Sequence, residues 1–152
     1  MIEISNGCYI IGFDNGYQFG KMANFMFDNG VFPLGKVEPS VREHSLKFER
    51  KYYKDAEGRA AITEDKVSDE NARLLTMVAM AKELSVIGVT KAEVILAVGL
   101  PFSDYGREKK GLIQYYEQKP VLKYEFEGVK YDITISNESE ALNDSYLELY
   151  EL

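Results

Sequence analysis

The apolar residues of this chain change spacing along its length, from strand-like to helix-like and back. Cys8-Tyr9-Ile10-Ile11-Gly12-Phe13 is an almost continuous apolar run, as expected of a strand buried on both faces. Asp14-Asn15-Gly16 breaks it with strong turn chemistry. Lys21 to Phe27 reads as a second strand, Asp28-Asn29-Gly30 as another turn, and Val31 to Val37 as a third strand. The chain is therefore expected to open with an antiparallel meander. Residues 38–67 carry short β-like pieces around Leu46-Lys47-Phe48 and Tyr52-Tyr53 and read as an irregular insertion.

Residues 69–87 carry the clearest helical pattern. Leu74, Leu75, Val78, Ala81 and Leu84 recur at helical spacing, Ser68 is a good N-cap, Asp69 and Glu70 suit the positive end of the dipole, and Gly88 is a natural stop. Ala92 to Val98 follows as a buried strand, and a further helix is expected from near Ser103, weakened by Gly106 and Gly111. Residues 122–135 alternate about Glu127-Gly128 and form a β-hairpin. In the tail, Leu142, Tyr146, Leu149 and Tyr150 share one helical stripe, so an amphipathic helix is expected over 139–151, although its C-terminal glutamates oppose the dipole. Three antiparallel strands, an insertion, helix, strand, helix and hairpin make an α/β protein. Its mixed sheet with packed helices has the order of the ribonuclease-H-like fold. One domain over residues 1–135 and an acidic tail over 136–152 are expected.

Composition narrows the setting. At 152 residues there is chain for one domain with a real core, and 45% apolar against 28% charged residues argues against disorder. A single cysteine, Cys8, excludes an intrachain disulfide framework and a cysteine-based zinc site. No run of 18 apolar residues is present and the N-terminus has no basic segment of a secretory signal, so no membrane association and a cytoplasmic setting are expected. The net charge is −7, and residues 136–152 hold five acids without a Lys or Arg. Direct DNA binding is disfavoured, because a nucleic-acid binder normally presents a basic face. His44 is the only histidine and is assigned to a surface or turn position.

The residues that most resemble chemistry run from Asp14 to Lys21. A turn between two strands points consecutive backbone N–H groups into a small concavity suited to phosphate. Gly16 lets backbone approach closely, Lys21 offers an ammonium, and Asp14 at a strand end suits a magnesium ion that keeps several waters. The same residues also make an ordinary hairpin turn.

Four segments taken together resemble the N-terminal half of bacterial actin-like plasmid-segregation proteins of the ParM/StbA type. They are Ile10-Ile11-Gly12-Phe13-Asp14-Asn15-Gly16-Tyr17 with Lys21; Glu64-Asp65-Lys66-Val67; Ile95-Leu96-Ala97-Val98-Gly99-Leu100-Pro101; and Tyr124 to Ile135. The resemblance implies an ATP-binding, filament-forming lobe. It places Asp14 near the waters of Mg²⁺, the backbone N–H groups of Gly16, Tyr17 and Gln18 on the phosphates of ATP, and Lys21 on phosphate oxygens. It implies self-association, and DNA linked only indirectly through an adaptor. Phe19 and Gly20 stand where the family often has a small polar pair, and no proline follows Pro120, so the family's water-positioning Pro-Gln or Pro-Glu pair is missing. With the second lobe outside the chain, no catalytic residue is assigned and the lobe is not expected to hydrolyse ATP alone. Two other readings compete with this one. A ribonuclease-H-type nuclease requires converging carboxylates, whereas the strand at 92–98 ends Ala97-Val98-Gly99-Leu100 without an acid. A non-catalytic dimerisation module would use a sheet edge left open after Ile135.

Overall fold

The computed structural model describes residues 1–15, 19–28, 30–55, 69–100, 105–136 and 140–143. Among these it contains eleven strands and two helices, and all the strands belong to one mixed sheet. An interior strand of the sheet is β2 (Cys8–Asn15), in which Tyr9, Ile11, Phe13 and Asn15 face the core. It runs parallel to β8 (Lys91–Leu100), with Cys8 beside Glu93 and Asp14 beside Gly99. On its other side it pairs antiparallel with β1 (Ile2–Ser5) and then β3 (Phe19–Lys21), which in turn pairs with β4 (Met26–Asp28). Three antiparallel strands leading to parallel β8 confirm the ribonuclease-H-like architecture.

The meander is tighter than its sequence pattern predicts. Lys21 to Phe27 is not one strand but two, folded back where the Met22 N–H donates to the Phe25 carbonyl at 2.8 Å. The expected third strand is β5 (Val31–Gly35), which leaves the meander and pairs with β7 (Lys51–Asp55). The insertion is also more regular than expected. Within it β6 (Ser45–Phe48) and β7 form a hairpin, and β6 joins β9 (Val121–Phe126). Leu46, Phe48, Tyr53 and Asp55 alternate inward, a signal too short to stand out without its partner strand.

The nine-strand path runs β4-β3-β2-β8-β10-β9-β6-β7-β5, with β10 at Val129–Ile135. Its end strands are two residues apart in sequence, Asp28 closing β4 and Val31 opening β5. Three peptide steps span at most ~11 Å, so the sheet curls until its ends approach. It curls around α1 (Asp69–Ile87): Leu74 to Ala81, with Glu83 and Leu84, are all 3% exposed or less. A helix covered on all sides needs apolar residues all round, which explains why its sequence is broadly hydrophobic rather than cleanly amphipathic. Its C-terminus is closed by Gly88 at φ 68°, with Gly88 N–H on the Ser85 carbonyl and Val89 N–H on the Leu84 carbonyl, both 3.2 Å.

Helix α2 (Tyr105–Gln118) packs Leu112 and Tyr116 inward, and the Tyr116 hydroxyl hydrogen-bonds Thr76 Oγ1 on α1. Burial pushes the Tyr116 phenol well above its ordinary pKa. The β9–β10 hairpin turns as expected at Glu127 and Gly128, both with positive φ.

The tail differs from its expected form. Glu140–Asn143 is not helical but forms strand β11, parallel to Ala97–Leu100 of β8. The reason lies in β8: β10 pairs only with Lys91–Val94, and the four residues beyond Val94's neighbours need another backbone partner. The edge expected to stay open after Ile135 is therefore occupied at this level. Residues 144–152, and with them Tyr146, Leu149 and Tyr150, lie outside the described residues.

Candidate functional site

Strands β2 and β8 are parallel neighbours, and their carboxyl ends are where open α/β sheets receive ligands. The backbone register brings Asp14 to that level between two other residues, Lys21 on β3 and Gly99 on β8. Residues directly opposite in an antiparallel pair share a face of the sheet. Asp14 and Lys21 therefore stand side by side across the hairpin, Asp14 half-buried and Lys21 exposed. A carboxylate and an ammonium on one face, beside the buried Gly99 backbone, make a small polar corner at the carboxyl ends of β2 and β8. Gly16, Tyr17 and Gln18, whose N–H groups were expected to form the cradle, lie outside the described residues.

The aromatic and glycine pattern around this hairpin has a packing cause. Phe13 and Phe27 stack with ring centroids 5.8 Å apart and planes 5° from parallel. A Cβ on Gly20 would stand 2.6 Å from Phe13 Cε2 and 3.2 Å from Phe27 Cζ. Position 20 is thus a glycine because two rings close over it.

A second feature was not read from the sequence. Glu83, 1% exposed on α1, takes the Asn24 backbone N–H on Oε1 at 2.9 Å and the Asn24 Nδ2 on Oε2 at 2.8 Å. Asn24 sits in the turn joining β3 to β4, 59 residues away in sequence. An acid inside the most apolar stretch of the helix was the available signal.

His44 adopts a left-handed turn conformation, φ 61°, as its assigned position allows, but it is also part of a cluster. Its Nδ1 lies 2.9 Å from Asp55 Oδ1, and Lys82 Nζ lies 3.6 Å from Asp55 Oδ2. The Lys82 ammonium faces the rings of Phe27 and Phe126 at 5.4 Å each and Phe25 at 6.0 Å. Burial raises the Asp55 pKa, against the opposing pull of Lys82 and His44. This cluster ties β7 to α1.

The outer face of β6, β9 and β10 bears an open groove of about 360 Å³. Lys123 stands opposite Asp132, and Glu125 stands between Lys130 and Lys47. These alternating signs suit a solvated face rather than a phosphate backbone. Among the described residues no three His, Cys, Asp or Glu side chains gather as a metal-ligand set, and none of the helices is long and apolar enough to cross a membrane. A single half-buried carboxylate such as Asp14 fits magnesium held through its waters, the mode that needs fewest protein ligands.

No protein-family model and no curated protein sequence matches the chain. Solved structures do. The apo ParM protein of pSK41 superposes with a TM-score of 0.63 at 14% identity, over 91% of this chain and 50% of its own. The AlfA filament bound to AMPPNP gives 0.65 at 15% identity, over 88% and 54%. Bacillus thuringiensis ParM in apo form gives 0.59 at 20% identity, over 88% and 45%. The chain has the fold of part of an actin-like protein and spans about half the length of these neighbours.

Proposed function

We propose that this chain is one lobe of an actin-like, ATP-binding, filament-forming protein of the DNA-segregation type, and that it does not hydrolyse ATP alone. The observation that carries this reading is the register that sets Asp14 beside Lys21 and Gly99 at the carboxyl ends of β2 and β8. The neighbour bound to AMPPNP as a filament supports it.

In this reading Lys21 binds phosphate oxygens and Asp14 orients waters around the metal. Gly16, Tyr17 and Gln18 present main-chain N–H groups to the phosphates. Bound Mg²⁺ supplies charge neutralisation along the triphosphate. The chain covers about half of its neighbours' length, so it supplies one wall of the nucleotide cleft. A complete micromolar site is worth about −8 kcal/mol, and one wall about −4 kcal/mol, which is millimolar affinity. The filament neighbour supports self-association of the lobe, and in this reading DNA engages only through an adaptor. The lobe works in the cytoplasm.

Sedimentation velocity with and without Mg-ATP, with phosphate release measured alongside, tests this reading. Nucleotide-dependent association without phosphate release is the expected result. Association indifferent to nucleotide would reduce the chain to an interaction module, and brisk hydrolysis would show that the lobe is catalytically competent.

A further inference from the structure

We propose that Glu83 is a positioning residue that holds Lys21 opposite Asp14 by gripping the β3–β4 turn. The inference rests on reading the β2–β3 hairpin as a phosphate site.

The hairpin is weakly held by its own ladder. Strand β3 has three residues, and among the described residues Asp14–Lys21 and Asn15–Gly20 pair it with β2. Strand β4 also has three residues and lies at the end of the sheet path. So short a ribbon is marginal without outside contacts. Besides buried Met22 and the Lys82 ammonium facing the rings of Phe25 and Phe27, two contacts among the described residues act on its glycine and its turn. One is the Phe13–Phe27 stack over Gly20. The other is Glu83, whose two oxygens take the main-chain and side-chain N–H groups of Asn24. Two bonds to one residue fix both the place and the rotation of the turn, and Lys21 lies three residues upstream.

The surroundings argue for a dedicated role. The neighbours of Glu83 along the helix, Met80, Ala81 and Leu84, are fully buried and apolar. A carboxylate there is costly unless its hydrogen bonds are met, and an apolar residue would continue the pattern. Within the protein only Asn24 hydrogen-bonds it among the described groups, with the Met1 amine at 3.9 Å. Lys82, next in sequence, turns instead to Asp55. The acid is thus directed at the turn that ends β3.

Amide hydrogen exchange on the whole chain, with a Mg-ATP titration on the same variants, tests this. The variants are Glu83→Gln and the milder Asn24→Ala, with Leu122→Ala on β9 as a core-destabilised control. In the first two, amides of residues 19–27 are expected to exchange about tenfold faster while those of β9 and β10 change less than about twofold. Apparent Mg-ATP affinity should fall about fivefold or more in Glu83→Gln and stay within about twofold in the control. Exchange that rises evenly along the chain, or hairpin amides that do not respond, would overturn the positioning role. So would unchanged affinity despite a loosened hairpin. If the parent chain itself does not bind Mg-ATP, the phosphate-site reading fails, and the exchange pattern still decides whether Glu83 holds the hairpin.

Discussion

Phe13 occupies the space that a side chain at position 20 would need: a Cβ on Gly20 would stand 2.6 Å from its ring. Phe13 is fully buried on β2 and cannot swing into solvent. Gly20→Ala is therefore an overpacking change, expected to destabilise the protein by about 1–3 kcal/mol in urea unfolding. Phe13→Leu in the same chain should return part of that loss. An alanine tolerated without loss would mean that the rings do not close over position 20.

Asp55 should make the protein respond to acid in an unusual direction. Burial raises its pKa above the ordinary carboxylate value of 3.8. The folded state then holds a proton more tightly than the unfolded state. This group's contribution accordingly falls as pH rises through its folded pKa and is restored as pH drops toward 3.8. Asp55→Asn removes that titration. The stability of the parent relative to Asp55→Asn should grow between neutral pH and about pH 4, read by urea unfolding at several pH values. A difference that shrinks toward acid would show that Lys82 and His44 outweigh burial.

The turn between β6 and β7 is built from residues that do not favour it. Glu49 and Arg50 both have positive φ, 50° and 65°, a conformation better suited to Asn-Gly. The Glu49–Lys119 pair at 2.8 Å is exposed on both sides and compensates little. Replacing both residues, Glu49→Asn with Arg50→Gly, is expected to raise stability by about 1 kcal/mol. Thermal unfolding checks this, and a lower midpoint would assign those side chains a stabilising contact.

Regular, self-contained patterns in this chain were legible from sequence. Helix α1 occupies its expected 69–87 span, and the β9–β10 hairpin folds about Glu127-Gly128. The resemblance to half of an actin-like protein agrees with the fold of the solved neighbours. What escaped depends on distant partners. Strand β5 follows β4 directly but pairs with β7, because the curled sheet brings its two ends together. Strand β11 is four residues long and has no clear alternation, and only the free backbone of Ala97–Leu100 calls for it. The Glu83–Asn24 contact spans 59 residues and joins a helix to a turn, which no local periodicity encodes. At the candidate site, the turn after the first buried strand was legible, whereas the register that sets Asp14 opposite Lys21 needed the folded ladder and the reason for Gly20 needed both phenylalanines in place.

The nucleotide reading stands on the corner formed by Asp14, Lys21 and Gly99, and an NMR titration of the chain with Mg-ATP reads that corner directly even at millimolar affinity. The expected result is saturable shifts at the amides of residues 14, 21 and 99, with a dissociation constant of about 1 mM, lost in Lys21→Ala while the thermal midpoint holds. Shifts confined to other faces, or a response that Lys21→Ala leaves intact, would contradict it.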